Sequence, residues 1–461
     1  MATQKAPRLV ISAPHGRSGK TTVAIALCRA LAGRGLAVQP FKKGPDYIDP
    51  SWLSEAAGRP CRTLDPFFMR DAAGVRQAFA RGSNRADISL VEGNHGLFDT
   101  ADETGMGSTA ALARSLMAPI ILVVDCERMG RSVAALVRGY QEFEKSTTIA
   151  GVILNQVVEG RHEGKLRSAL ERHCGIPVLG AIPRREELRI PDRHLGLVPR
   201  SEGQALLPTI SAARAAAEEH IDLAAVLDMA RAAPDLEGPA PAGRAQPGRP
   251  SVRIGVVRDA AFSFYYPENL EALQEAGAGL TFIDALHDPA LPEVDALYVG
   301  GGFPEVFMDE LAANAPFLQS IRLAVEGGLP IYAECGGLMF LARHITWQGR
   351  SAKMAGVLPC DVEIADRPQG HGYVLAEARR PHWFLDAGVQ ARGHEFHNSR
   401  LVDVDPELPT AYRLILGCGF GNGSDGLVYR NVLAGYTHLH AAGCPEWAPG
   451  LVARARGRDS T

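Results

Sequence analysis

The sequence predicts an α/β protein built from two doubly wound domains, and three observations carry that prediction. Short apolar, β-prone runs alternate with Ala-rich or charged helical patterns from Arg8 onward. The alternation breaks once, between about Pro234 and Ser251, where Pro239, Pro241, Pro247 and Pro250 stand among Gly and Ala with few large apolar residues. The chain has 461 residues, more than one hydrophobic core usually holds. The expected boundaries are a first domain at 1–233, a linker at 234–251 and a second domain at 252–461.

Arg8 to Ser12 reads as a buried strand, a Gly-rich turn follows, and Thr21 to Ala32 has the Ala and Leu content of a helix. Ile88–Glu92, Ile120–Asp125, Ile149–Asn155 and Val178–Ile182 repeat the strand signal with helical patterns between them, the signature of a parallel sheet covered on both faces. After the linker come strand Val252–Val257, helix Asn269–Glu275, strand Ala296–Val299 and strand Pro330–Glu334.

The formal net charge of −4 and the lack of a Lys/Arg block argue against a nucleic-acid partner. No apolar run has signal-peptide form or spans a bilayer, so a cytoplasmic protein with no membrane partner is expected. The eight cysteines include no Cys-x-x-Cys pair, which argues against a zinc site and a disulfide framework. Any cysteine with a chemical role acts alone.

The first candidate site is the run His15-Gly16-Arg17-Ser18-Gly19-Lys20-Thr21-Thr22 between a strand and a helix. It has the Gly-Lys-Thr core of a phosphate-binding loop, with Pro14 where the general motif has its first glycine. Gly16, Ser18, Gly19 and Thr22 supply backbone N–H groups for phosphate, Lys20 reaches the β- and γ-phosphates, and the Thr21 hydroxyl ligates Mg²⁺. A Gly-rich turn at a helix start is the plainer reading, and the flanking elements count against it. Gly44-Pro45-Asp46-Tyr47-Ile48-Asp49-Pro50 places two carboxylates in a stiff loop, and Glu92 ends a strand at the same sheet edge. Asp46, Asp49 and Glu92 are therefore metal and phosphate-charge candidates beside Thr21. Asp99 is a weaker candidate in an adjoining loop, and Asn155 reads the nucleotide base or caps a helix.

The second candidate site is Pro330-Ile331-Tyr332-Ala333-Glu334-Cys335-Gly336-Gly337-Leu338-Met339, a strand running into a nucleophile, two glycines and a helix. The glycines permit a tight turn that exposes the sulfur, and the helix N-terminus is expected to draw its pKa toward thiolate. Gly300-Gly301-Gly302-Phe303-Pro304-Glu305 closes the preceding strand with free N–H groups. An oxyanion hole from Gly301, Gly302 and Gly336 is expected there. Gly435-Tyr436-Thr437-His438-Leu439-His440 offers two histidines on one face of an extended segment; His438 is the preferred base and His440 the alternative.

These motifs together with Gly93, Gly96-Leu97-Phe98-Asp99, Phe264-Tyr265-Tyr266-Pro267-Glu268-Asn269-Leu270 and Gly393-His394-Glu395-Phe396-His397 resemble the cobyrinic acid a,c-diamide synthase family, over nearly the whole chain and in the same order. The resemblance implies a P-loop NTPase-like, dethiobiotin-synthetase-like ATP domain followed by a flavodoxin-like, class I-type glutamine amidotransferase domain with a Cys–His pair. It implies ATP as substrate, Mg²⁺ as cofactor, glutamine as amide donor and cobyrinic or hydrogenobyrinic acid as acceptor in cobalamin biosynthesis, by way of an acyl phosphate. Tyr47 and Asp99 fall to the acceptor, and groups around His371-Gly372-Tyr373 and His394–His397 are expected beside the ring, between the domains. A homodimer is the expected assembly. Asn398 stands where a Tyr is expected, and Cys126-Glu127-Arg128 is unusual at its position. The same chemistry on nickel sirohydrochlorin or a sirohaem-type ring is an open alternative, and a non-catalytic phosphate-loop binding protein is the reading of a different class.

Overall fold

The computed structural model describes residues 2–100, 104–190, 192–193, 196–197, 206–238 and 250–457. The chain forms two compact units, Met1–Gly243 and Arg244–Thr461. No described helix is long and apolar enough to cross a membrane.

The first unit is a seven-stranded sheet of β1 (Arg8–Ser12), β2 (Val38–Lys43), β3 (Arg62–Leu64), β4 (Ile88–Glu92), β5 (Ile120–Asp125), β6 (Ile149–Val157) and β7 (Val178–Pro183). Its order is β3-β2-β4-β1-β5-β6-β7, with every pairing parallel. β1, β2 and β4 are buried along their whole length; in β1 this shows as the apolar run Leu9–Ile11, whereas β2 also buries Gln39, Lys42 and Lys43. The chain builds one side of β1 first and then crosses to the other. That reversal puts a crevice at the carboxyl ends of β1 and its neighbours, where open α/β sheets take ligands. Helix Lys20–Gly33 leaves that crevice and buries an Ala/Leu face against helix Leu206–His220.

The reading of 234–251 as an unstructured linker needs one correction at its start. Leu236–Gly238 pairs antiparallel with Ala2–Gln4, because Leu236 has an apolar side chain to bury, 3% exposed, and the chain is held just before it. The buried Arg8 guanidinium donates to the carbonyls of Ala6, Leu116 and Pro234, the last at 2.6 Å. Residues 239–249 of that reading lie outside the described residues.

The second unit contains a ten-stranded sheet: β8 (Val252–Val257), β9 (Ala278–Ile283), β10 (Ala296–Val299), β11 (Ile331–Glu334), β12 (Gly370–Ala378), β13 (Gln390–His397), β14 (Thr410–Leu416), β15 (Ser424–Tyr429), β16 (Val432–Gly435) and β17 (His438–Leu439). The order is β9-β8-β10-β11-β16-β15-β14-β12-β13-β17. Its first five strands pair in parallel, and their spatial order is the 2-1-3-4-5 arrangement of flavodoxin-like folds. From β16 onward every pairing is antiparallel. A small four-stranded sheet of His344–Trp347, Arg350–Lys353, Asp361–Ile364 and Ser399–Val402 covers part of one face. The antiparallel half was not foreseen. β12 and β14 are half-buried, β12 contains Gly370 and Gly372 and carries a register shift at Leu375/Ala376, and β16 and β17 are only four and two residues long, so the strand signal is weak.

Candidate active sites

In the first unit the loop after β1 winds around the start of helix Lys20–Gly33. Gly19 holds φ +90°, and a Cβ there would lie 2.1 Å from Asn155 Nδ2, so the loop closes directly on the end of β6. Asn155 donates from Nδ2 to the Ser18 carbonyl at 3.1 Å, which makes it a strut for the loop. The Ser18 hydroxyl donates to the His15 carbonyl at 2.9 Å, and the largely buried Lys20 reaches the same carbonyl from Nζ at 3.5 Å. A cavity of about 610 Å³ is lined by Gly19, Lys20, Thr21, Thr22, Asp49 and Asn155. Glu127, Arg184, Arg185 and Arg189 also line it, and sequence reasoning did not single out those arginines. Gly16 meets nothing within 4 Å of its Cβ position and lies at the exposed turn of the loop.

Beneath Lys20 the carboxylates expected from sequence converge. The Thr21 hydroxyl donates to Glu92 Oε1 at 2.6 Å, with Asp49 Oδ2 at 3.3 Å. Asp49 sits in the first turn of helix Ile48–Ala57 rather than in the loop, and Asp46 caps that turn by accepting from the N–H of Ile48 at 2.8 Å. At the centre stands a residue sequence reasoning missed, Lys42 on β2. Its Nζ lies 2.5 Å from Asp49, 3.1 Å from Glu92 and 3.7 Å from Asp46. Burial opposes its charge, but Asp49, Glu92 and Asp46 together hold its pKa above the ordinary lysine value. Burial likewise raises Glu92 and Asp46 and lowers Lys20. Burial pushes Asp49 up as well, and the Lys42 ammonium beside it overcomes that and holds it below the usual carboxylate range.

Thr21, Asp49 and Glu92 form a hard-oxygen set suited to Mg²⁺, and Glu92 Oε2 is buried without a hydrogen-bond partner among the described residues. No group of three His, Cys, Asp or Glu among the described residues forms an all-protein metal cage. Mg²⁺ does not need one, because it keeps several waters and takes its other ligands from substrate phosphates. Asp99 accepts from the Gly96 N–H at 2.8 Å in a turn packed on Pro14, where a Cβ on Gly96 would meet the Pro14 carbonyl at 2.4 Å. Tyr47 is half-buried at the start of helix Ile48–Ala57. Cys126 is fully buried, and its sulfur faces the Val124 carbonyl.

In the second unit β11 ends at Glu334, and Cys335 takes φ +49° and ψ −101°, a left-handed conformation costly for a residue with a Cβ. Three close contacts enforce it. The Cys335 N–H donates to the Gly435 carbonyl at 2.7 Å; a Cβ on Gly337 would lie 2.3 Å from the Val299 carbonyl; one on Gly336 would lie 3.0 Å from the Gly302 nitrogen. Side chains at 336 and 337 would push the turn open. The expected lowering of the thiol pKa is not what the surroundings produce. Burial, and next the Glu305 carboxylate, push the Cys335 thiol up, and the helix that follows, Gly336–Leu341, is only six residues long.

The two histidines part company. His438 lies against the glycine loop, with its Cε1 2.4 Å from where a Cβ of Gly301 would stand. Gly301 and Gly302 thus bridge from His438 to Gly336, next to Cys335. His440 packs edge-on to Tyr266 at 4.7 Å, accepts the Ala442 N–H on Nδ1 at 3.1 Å and has Nε2 3.8 Å from Glu268. The segment carrying both is clamped by residues whose role sequence reasoning left unassigned. Asn269 donates to the Leu439 carbonyl at 2.7 Å and accepts the Ala441 N–H at 2.8 Å, while Asp425 accepts the N–H groups of Tyr436 and Thr437. His394, Glu395 and His397, expected beside a substrate ring, are buried in this unit's own contacts. His394 stacks on His438, Glu395 accepts the N–H groups of Cys418 and Gly419, and His397 stacks on Tyr436 at 3.7 Å. His371 and Phe396 remain open to solvent.

Residues 9–198 match the CobQ/CobB/MinD/ParA nucleotide binding domain, and residues 253–445 match the CobB/CobQ-like glutamine amidotransferase domain. The chain is similar over its whole length to proteins named cobyrinate a,c-diamide synthase. The relative from Magnetococcus marinus is 46% identical over 98% of this chain and 98% of its own. The one from Methanothermobacter thermautotrophicus is 41% identical over 97% and 99%, and the one from Archaeoglobus fulgidus 38% over 94% and 94%. With identity at that level across both units and with each unit's motifs in place, the chain belongs to the cobyrinate a,c-diamide synthase family.

Proposed function

We propose that this chain uses ATP and glutamine to convert the a and c acetate side chains of cobyrinic acid, or of hydrogenobyrinic acid, into carboxamides during cobalamin biosynthesis. The observation that carries the reading is the presence in one chain of a phosphate loop closed on a buried lysine–carboxylate cluster and of a strained cysteine on a glycine-built turn. Whole-chain similarity to cobyrinate a,c-diamide synthases supports the choice of ring.

In this reading residues 1–233 are the amide-synthetase domain, 234–251 the connection and 252–461 the amidotransferase domain. Cys335 attacks the amide carbon of glutamine, the Gly301, Gly302 and Gly336 N–H groups receive the developing oxyanion, and His438 takes the thiol proton and returns it to the leaving nitrogen. The C–N bond breaks to give ammonia and a thioester, and water releases glutamate and restores the thiol. At the phosphate loop Gly16, Ser18, Gly19, Lys20, Thr21 and Thr22 hold ATP, Asn155 fixes the loop beneath the nucleotide, and Tyr47 and Asp99 meet the acceptor. A carboxylate oxygen of the acceptor attacks the γ-phosphorus and ADP leaves; ammonia then attacks the acyl carbon and phosphate leaves. Mg²⁺, when bound, neutralises phosphate charge, with Thr21, Asp49 and Glu92 as its holders and Asp46 behind them.

The enzyme is read as a cytoplasmic homodimer acting on small molecules, without nucleic acid or membrane. Sedimentation equilibrium tests the assembly. The substrate is tested by incubating enzyme, Mg·ATP and glutamine separately with cobyrinic acid, hydrogenobyrinic acid, nickel sirohydrochlorin and sirohaem and following mass. Two successive acid-to-amide conversions on a corrin support the reading. Amidation confined to a sirohydrochlorin-type ring overturns the substrate and leaves the two-site chemistry, whereas absence of both glutaminase and ligase activity overturns the enzyme reading itself.

A further inference from the structure

The strand that delivers Cys335 also delivers the residue before it to the Nδ1 edge of His438. Glu334 is 1% exposed, at the end of β11 between β10 and β16. Its carboxylate is held from three directions. Oε1 accepts from the Tyr332 hydroxyl at 2.9 Å and from the Leu439 N–H at 2.9 Å, and Oε2 accepts from the Tyr298 hydroxyl at 2.9 Å. The same Oε2 stands 3.7 Å from Nδ1 of His438. A carboxylate buried this deeply is retained only where donors satisfy it, and here three do.

We propose that Glu334 is the positioning residue of the glutaminase centre: its carboxylate, 3.7 Å from Nδ1, favours by its charge the ring orientation and tautomer of His438 with the proton on Nδ1, so that Nε2 is free to take the Cys335 proton. The inference rests on the reading of Cys335 and His438 as nucleophile and base. One strand end then aims both partners, since residue 335 carries the sulfur and residue 334 the anchor of its base. The bond from the Leu439 N–H to Oε1 ties the histidine's own strand to that anchor. When His438 becomes imidazolium the Glu334 carboxylate stabilises it, and the proton passes on from Nε2 to the departing ammonia, so no proton has to reside on Glu334. Other charged or titratable groups at this place include the Tyr298 and Tyr332 hydroxyls on Glu334 and Tyr412 beside it; His394, stacked on His438 at 4.8 Å and itself acted on by His440; Asp425, held by the N–H groups of Tyr436 and Thr437; Glu305, whose charge acts on Cys335; and Cys335 itself. Burial and the neighbouring histidines keep His394 well below the ordinary histidine pKa. The Glu334 carboxylate, 3.7 Å from Nδ1, is the carboxylate that faces the His438 ring edge.

The test is a double-mutant cycle on glutamine hydrolysis in the full chain. Glu334→Gln keeps size and one acceptor while removing the charge, and is expected to lower kcat about 10²-fold with KM for glutamine within about twofold. In the His438→Ala background the same change is expected to cost almost nothing, because its effect passes through that ring. Tyr298→Phe removes one donor from the carboxylate and leaves every charge in place. A fall of roughly 3- to 10-fold that also vanishes with His438→Ala is expected. A third readout separates positioning from bare charge. Glu334 also pushes the Cys335 thiol up directly, so a purely electrostatic role predicts faster iodoacetamide labelling of Cys335 in Glu334→Gln, whereas loss of an oriented base predicts slower labelling. The proposal is overturned by wild-type kcat in Glu334→Gln, by equal costs with and without His438, or by faster labelling. Should Glu334→Gln not fold, Tyr298→Phe decides by the same cycle. Cys335→Ser keeps the two failures apart. A Cys335→Ser chain that still hydrolyses glutamine refutes the nucleophile reading and this proposal with it, and an inert Cys335→Ser beside a fully active Glu334→Gln refutes the positioning role alone.

Discussion

Replacing Gly301 by alanine tests the glutaminase centre without touching any side chain assigned to it. The added Cβ would stand 2.4 Å from Cε1 of His438, 3.3 Å from Nε2 and 3.4 Å from Nδ1. Carbon atoms pack at about 3.5–4.0 Å, so the imidazole has to retreat by about 1 Å or more. It has little room, because His394 is stacked on it at 4.8 Å, Glu334 is 3.7 Å from Nδ1, and the flanking backbone is pinned by Asn269 and Asp425. Displacing a catalytic group by about 1 Å typically costs on the order of 10²-fold in rate. The substitution leaves the 301 N–H in place, and Gly301 needs no left-handed backbone, so neither oxyanion donation nor strain enters the estimate. The assay runs amidation of the tetrapyrrole with glutamine and with ammonium chloride in parallel, with a thermal melt as the folding control. Expected is a loss of about 10²-fold in glutamine-driven kcat/KM and ammonia-driven turnover within about twofold of wild type. Undiminished glutamine use would refute the placement of His438 as base.

Cys335→Ala is expected to abolish glutamine-driven amidation and spare the ammonia-driven reaction, and His438→Ala to follow the same pattern with a loss of about 10²–10⁴-fold; a larger loss in His440→Ala transfers the role to that residue. Lys42→Met leaves Asp49 and Glu92 buried without their cation, so ATP-dependent amidation should stop with either nitrogen donor and the first unit should lose about 3–5 kcal/mol at neutral pH. Chemical denaturation at several pH values checks this, since part of the loss should return as those carboxylates protonate at lower pH; unchanged stability at pH 7 removes Lys42 from the charge balance. For the second unit, burial lowers the pKa of His382 to about 4 and that of His394 further below its ordinary value, while the unfolded chain protonates both near 6.5. The unfolded state therefore binds more protons in that window, and stability is lost as pH falls from about 6.5 toward 4, by at most about 1.4 kcal/mol per pH unit for each histidine. A flat urea midpoint across that range would show that both rings are protonated in the native state.

What was legible in the sequence was local, and what was missed depended on distant partners. The phosphate loop and the cysteine turn declare themselves within about ten residues, because each needs a strand, a tight turn and a helix in immediate succession. Lys42 gave no such signal. A lysine at a strand end normally reads as a solvated charge, and the carboxylates that make this one central come from two pieces of chain, Asp46 and Asp49 just beyond the strand and Glu92 at the end of another strand. Asn155 was marked as a nucleotide reader or a cap, but its contact is with Ser18 and Gly19, across the sheet. The arginines after β7 were passed over because nothing in their neighbourhood announces that the strand ends beside the phosphate loop.

The two histidines show the limit most clearly. Strand alternation places positions 438 and 440 on one face and cannot rank them, since period 2 treats them alike. The ranking comes from residues far away in sequence: Gly301 lies against His438, whereas Tyr266 and Glu268 take His440. The thiol argument failed for a related reason. A helix after the nucleophile suggests a lowered pKa, yet the helix is short and the sulfur sits where burial and Glu305 act in the opposite sense. Burial is a property of the assembled sheet, not of the ten residues around Cys335. It changes what the rest of the site has to do. With a thiol that resists ionisation, reactivity depends on a base held close in one orientation, and the parallel pairing of Glu334 with Gly435 sets the end of β11 against the strand that leads to His438. Strain at Cys335, the missing side chains at 301, 336 and 337, and the three donors on Glu334 all act on one short stretch of backbone, and in the proposed chemistry they serve one requirement, which is to hold the sulfur and the His438 ring in register.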